Sequence, residues 1–270
     1  MPAAASTEDI EMSQARFRPI PALLLILLIP ALAASGAQAQ GKRSPDGDYP
    51  ERDEIRQSYD LALGAGVDVS GIAGPVEIRT TNKDTAEVHI VRSAPTRTDL
   101  DCGKVVVEQT STRLQIRSES LCPIVRGQQR VMLDLPRRVD VSLQSIAGDV
   151  HIGPIDGLVR LDGVAGHVEV DELRAAKMSS LAGGLSMTIT GVGERGIRVS
   201  SVTGGIDLGV RSGLNAELTV KSIVGRVRND FSDNRTSGDD DEDYHAVIGT
   251  GGPKILIESV VGAVDIHRAR

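Results

Sequence analysis

Histidines and carboxylates are the side chains in this sequence that could hold a metal ion or move a proton, so their spacing comes first. The five histidines are His89, His151, His167, His245 and His267. His151 and His167 take outward positions in adjacent units of a short repeat and should lie near each other on one face. A protein zinc site needs at least three N, S or O ligands, and no third ligand is specified, so no metal ligand is assigned. Two facing carboxylates could act on a glycosidic bond. Glu169 and Asp207 both alternate outward, yet nothing marks them as a pair. No serine sits in a G-x-S-x-G elbow. There is no P-loop and no dinucleotide fingerprint leading into a helix. The reading assigns no catalytic residue and no cofactor.

Two further groups could do chemistry. Cys102 and Cys122 lack the C-x-x-C spacing of a redox pair and the extra ligands of a metal site. In an exported chain the expectation is one disulfide. Closing a loop of about 20 residues is worth roughly 3 kcal/mol in the chain-entropy account. An insertion at 232–243 ends in Asp239-Asp240-Asp241-Glu242-Asp243. Such a run can recruit Ca²⁺ through its oxygens. It lacks the order of an EF-hand loop and the glycine-rich nonapeptides of calcium-binding β-rolls, so it reads as a solvated loop.

The elements that must position these residues come from one recurring phrase: apolar–x–apolar, a small residue, apolar–x–Gly, then x–apolar–x–apolar. It occurs around Gly74, Gly148, Gly166, Gly183, Gly204, Gly225 and Gly262. A near-constant period of 17–21 residues from Gly148 to Gly225 is the mark of a repeat architecture. Period-two alternation makes both arms short strands, and the glycine falls where the chain turns or two backbones approach closely. Serine precedes the first apolar residue at 145, 180, 201, 222 and 259, a column that could form a hydroxyl ladder at a corner. The expectation is all-β: a parallel β-solenoid, β-helix-like, with units stacked in chain order about 4.8 Å apart. An ordinary meander of hairpins is the alternative. No segment after residue 39 has a helical stripe. Because residues two apart share a face, the candidate binding face is Asp149, His151, His167, Glu169, Asp207 and Arg226.

Composition fits this picture. Between Tyr59 and Phe231 there is no aromatic residue, so the core must be Val, Ile and Leu. The chain carries a net charge of −7 with no clustered basic face, which argues against nucleic acid. Arg16 and Arg18, the apolar run Ile20 to Ala34 and Ala37-Gln38-Ala39 read as a signal peptide over 1–39, with cleavage before Gln40. An uncleaved anchor is the alternative. Residues 40–58 are polar and read as a disordered leader, and the β-domain is placed at 59–270. No later stretch is long enough to span a membrane.

The closing phrase Gly251-Gly252-Pro253-Lys254-Ile255-Leu256-Ile257-Glu258-Ser259-Val260-Val261-Gly262-Ala263-Val264-Asp265-Ile266 resembles that of the bacterial family of unknown function called putative adhesins. The likeness covers about 60–270. It implies a β-solenoid of the cell envelope or surface and brings no catalytic residues. The cysteine pair and the acidic insertion depart from that pattern. The expected function is a non-catalytic, exported, adhesin-like module of periplasm or cell surface, binding an envelope or surface macromolecule. The alternatives are a polysaccharide lyase or hydrolase on a β-helix, and an envelope scaffold that self-associates.

Overall fold

The computed structural model describes residues 49–124, 126–231 and 244–269, with the Ser222 side chain left aside. The signal peptide expected over 1–39 and the acidic insertion at 232–243 lie outside these residues.

Alternating aliphatic and polar residues, interrupted by Gly, Pro and Asp, leave the chain little choice but short strands. In order these are β1 (Glu51–Asp60), β2 (Gly66–Ser70), β3 (Val76–Thr81) and β4 (Thr85–Ala94), then the helix α1 (Arg97–Cys102). There follow β5 (Gly103–Thr110), β6 (Arg113–Ser120), β7 (Gln128–Pro136), β8 (Asp140–Ala147), β9 (Val150–Ile152), β10 (Leu158–Ala165) and β11 (Val168–Leu173). The remainder are β12 (Ala175–Ala182), β13 (Leu185–Ile189), β14 (Ile197–Thr203), β15 (Ile206–Val210), β16 (Ala216–Asn229), β17 (Tyr244–Ile248) and β18 (Lys254–Arg268). Among the described residues the protein is all-β apart from α1, and its strands join one sheet wrapped nearly closed around a single core.

Most pairings are parallel and in register with the repeat. Each rung has two arms, which meet at a repeat glycine in every rung but β6–β7, where the Gln129 backbone takes that place. The rungs follow one another as β6–β7, β2–β3, β8–β9, β10–β11, β12–β13, β14–β15, then β18, then β16. One inward column runs Ile116, Val69, Leu143, Leu161, Met178, Val199, Ile257 and Val220, all buried. Similar aliphatic shapes stacked rung on rung fill the interior without a ring system.

Four expectations change. The rungs do not follow chain order: β18 lies between β14–β15 and β16, and β2–β3 lies between β6–β7 and β8–β9. The stack is not wholly parallel, because β1–β4, β4–β7, β5–β6 and β16–β17 pair antiparallel. β4 and β5 lie against the first rung and β17 against the last, with β1 on β4, and so cover backbone edges that would otherwise invite pairing with another chain. Residues 51–58, expected within the leader, belong to β1, whose Ile55 and Tyr59 pack on the core while charges line its outer side. The helix α1 was not foreseen. It is too short for a stripe, and starts where Thr96 Oγ1 accepts from the Asp99 amide at 3.1 Å.

At the corner between the arms, the repeat glycines lie on one another's backbones. A Cβ on Gly204 (φ +143°) would fall 2.6 Å from the Gly183 carbonyl carbon. The same stacking joins Gly74, Gly148, Gly166, Gly183, Gly204, Gly262 and Gly225 in that order. Three residues before each glycine the backbone is left-handed where its φ is known: Ser145, Ser180, Ser201 and Ser259 have φ between 54° and 57°. Gly71 and Gly163 take this place in two rungs. Among the described residues no hydrogen bond links one corner serine to the next, so the column is a left-handed turn and not a hydroxyl ladder. Cys102 and Cys122 form a disulfide that ties the end of α1 to the segment after β6.

Candidate functional site

The outward side of the second arms carries the chemistry, because register aligns its x-positions. One column runs Glu77, His151, Glu169, Ser186, Asp207, Asp265 and Arg228. Nearer the corner, each just after a repeat glycine, Asp149 and His167 lie on adjacent rungs and Arg226 on the last, with Gly184, Gly205 and Ala263 at the places between. The six residues expected to form a binding face therefore share one strip from the β8–β9 rung to β16. With rungs about 4.8 Å apart, that strip is roughly 24 Å long.

Within the strip the residues have different roles. Asp149 is engaged by the backbone: its Oδ1 accepts from the His167 amide at 2.8 Å. His151 Nδ1 lies 3.5 Å from Glu169 Oε2, and its Nε2 lies 3.8 Å from Asp171 Oδ2. Asp207 Oδ1 pairs with His267 Nδ1 at 2.9 Å. Arg226 is exposed at the far end, beside Ala263 of β18. Glu169 and Asp207 are separated by the intervening Ser186 rung.

Sequence reasoning missed Asp171, which continues the outward alternation of Glu169 one step past the repeat phrase ending at Val170, and a β-bulge then breaks that alternation. Val170 pairs with Met187 and Leu173 with Ile189, so two residues of β11 oppose one of β13. Strict alternation would have turned Glu172 inward. The bulge re-aims Glu172, so that it faces outward beside Asp171. Asp171 points toward His151. Glu172 goes to arginine, 2.6 Å from Arg211 and 3.8 Å from Arg137. A notch of about 570 Å³ lined by Asp171, Glu172, Thr188, Arg211 and His267 opens beside them. Also missed was His267, brought next to Asp207 because β18 inserts beside β15.

The first arms show the opposite charge. Arg160, Lys177 and Arg198 stack in register on three consecutive rungs, all exposed, and Arg198 alone reaches an acid, Glu258, at 3.5 Å. The signal for this column was in the sequence, since the three fall at one position of the repeat. A smaller cavity of about 220 Å³ lies between α1, β6 and β7 near Gln129, at the other end of the stack. Among the described residues no helix is long and apolar enough to cross a membrane.

No protein-family model and no curated protein matches the chain. Among solved structures it is similar to a "putative cell adhesion protein" from Clostridium sporogenes. That likeness has 12% identity, covers 81% of this chain and 99% of the other, and has a TM-score of 0.44. It is similar to a "putative adhesin" from Bacteroides fragilis at 14% identity, covering 82% and 100%, with a TM-score of 0.32. A "putative lipid binding protein" from Parabacteroides distasonis is similar at 13% identity, covering 85% and 100%, with a TM-score of 0.29.

Proposed function

We propose that the chain is an exported, non-catalytic module of the cell envelope or surface, a β-solenoid that presents the second-arm strip to another macromolecule. The observation that carries this reading is the rung-by-rung alignment of Glu77, His151, Glu169, Asp207 and Asp265 on backbone held by parallel pairing. Such a surface is preorganised, so a partner meets it without the cost of ordering a loop. Export rests on the signal-like pattern over 1–39, with the disulfide as the feature that fits an oxidising compartment.

The test replaces His151, His167, Glu169, Asp207 and Arg226 together with serine, keeping Asp149 for its bond to the His167 amide. Exposed substitutions of this kind usually change stability by less than about 0.5 kcal/mol each, so the variant should stay folded. Capture of the partner from envelope extract should be lost. Undiminished capture would remove the strip as the binding face. Turnover of an envelope polysaccharide by the parent chain, abolished in the variant, would replace binding with the lyase or hydrolase reading. Self-assembly has one observation in its favour: Val224, Val247 and Val261 are 70%, 63% and 52% exposed near the β16 end. Sedimentation showing a concentration-dependent oligomer would select it.

A further inference from the structure

We propose that His151, Glu169 and Asp171 form a surface site for a divalent transition cation of the Zn²⁺ type. One ligand atom from each residue, an imidazole nitrogen and two carboxylate oxygens, lies within 4.8 Å of the others. A charge-assisted hydrogen bond from imidazole to carboxylate would close to about 2.7–2.9 Å. The observed 3.5 Å and 3.8 Å are longer than that. The two gaps run from different ring nitrogens, and one imidazole gives a metal only one of them. Binding therefore draws a single nitrogen and one oxygen of each carboxylate from within 4.8 Å to the roughly 3.4 Å that donors at about 2.1 Å from tetrahedral Zn²⁺ keep.

The backbone places these donors by two independent devices. Parallel register sets Glu169 directly beside His151. Alternation along β11 puts Asp171 on the same outward face as Glu169, and the bulge that follows turns Glu172 outward too, to Arg211 and Arg137. Two carboxylates offset the charge of a dication, and the open notch beside Asp171 leaves room for water as a further ligand. Imidazole favours zinc and its neighbours over calcium, which takes oxygen donors. The site does not depend on the strip being a binding face for a macromolecule.

The untagged chain is titrated with ZnCl₂ by calorimetry, with thermal unfolding followed in parallel. One equivalent should bind, and Zn²⁺ should raise the melting temperature, since a ligand held only by the folded state stabilises it. His151→Ala and Asp171→Asn should each weaken binding roughly tenfold or more and remove the thermal shift, with the metal-free melting temperature unchanged. His267→Ala, which alters the neighbouring Asp207 pair, should bind as the parent does. Absence of binding, loss through His267→Ala with retention in His151→Ala, or equal affinity for CaCl₂ would each overturn the proposal.

Discussion

At the scale of single residues, the corner shows which constraint dominates. Gly204 and Gly213 both have positive φ, +143° and +82°. A Cβ on Gly213 meets nothing within 4 Å, so Gly213→Ala costs only backbone strain, about 1–2 kcal/mol. Gly204→Ala adds overlap with the Gly183 backbone, which cannot move aside without breaking its own rung. We expect a loss of about 3 kcal/mol or more, or failure to fold, and a melting temperature well below that of Gly213→Ala. Equal thermal shifts for the two would count against the stacked-glycine corner. Ser201 sits in the same corner with φ 55°. Replacing it with glycine relieves about 1 kcal/mol of strain but adds a similar entropy cost on folding, which explains how serine can persist there. The glycines were legible because their spacing is periodic. Asp171 was not, because the repeat phrase stops at Val170 and only the pairing of β9 with β11 brings the next outward residue to the His151 ring.

At the scale of elements, β1 is the instructive case. Its sequence ERDEIRQSYD is so charged that composition reads it as leader, yet it pairs with β4 along its whole length. Arg92 of β4 explains much of the docking. It donates to the carbonyls of Gly103 (2.9 Å) and Leu100 (3.3 Å) and pairs with Asp53 of β1. The Arg92 hydrogen bond holds the Asp53 carboxyl below its usual value and outweighs partial burial, which pushes the other way. A carboxyl depressed in the folded state contributes stability above its unfolded pKa of about 3.9. That contribution disappears as pH falls through the lower, folded value. Stability measured against pH should therefore fall below about pH 4. Asp53→Asn should be less stable at neutral pH and show a shallower acid limb, with earlier exchange of β1 amides. An unchanged acid limb would mean that the pair does not contribute to β1 docking.

At the scale of the whole molecule, the order of the rungs matters more than their number. A repeat stacked in chain order would lose one terminal rung when its last strand is removed, and little else. Here β18 lies between β14–β15 and β16, so it supports both sides. A chain ending at Pro253 should lose amide protection in β14, β15 and β16 together, with a melting temperature far below the parent's. Protection retained in β16 would show that this outer rung stands on β17 alone. The same insertion makes the last segment of the chain a condition for completing the core, a long-range contact of the kind that slows folding.

What the sequence alone determined is everything that depends on local periodicity. The strands, their inward faces, the aliphatic core without rings and the corner glycines follow from a period of two nested in a longer repeat. The cysteine pairing followed from there being only two. Tertiary structure decided what periodicity cannot encode. The phrase around Gly262 is equivalent to that around Gly225, so nothing local says which rung stacks on Gly204. The choice is made by closure, since β16 with its antiparallel partner β17 finishes an end while β18 fits between two parallel neighbours. The candidate site has the same origin. His151 and Glu169 could be read as neighbours from their repeat positions, whereas Asp171, one step past the repeat phrase, joined them only in the folded chain, where its carboxylate lies 3.8 Å from the His151 ring.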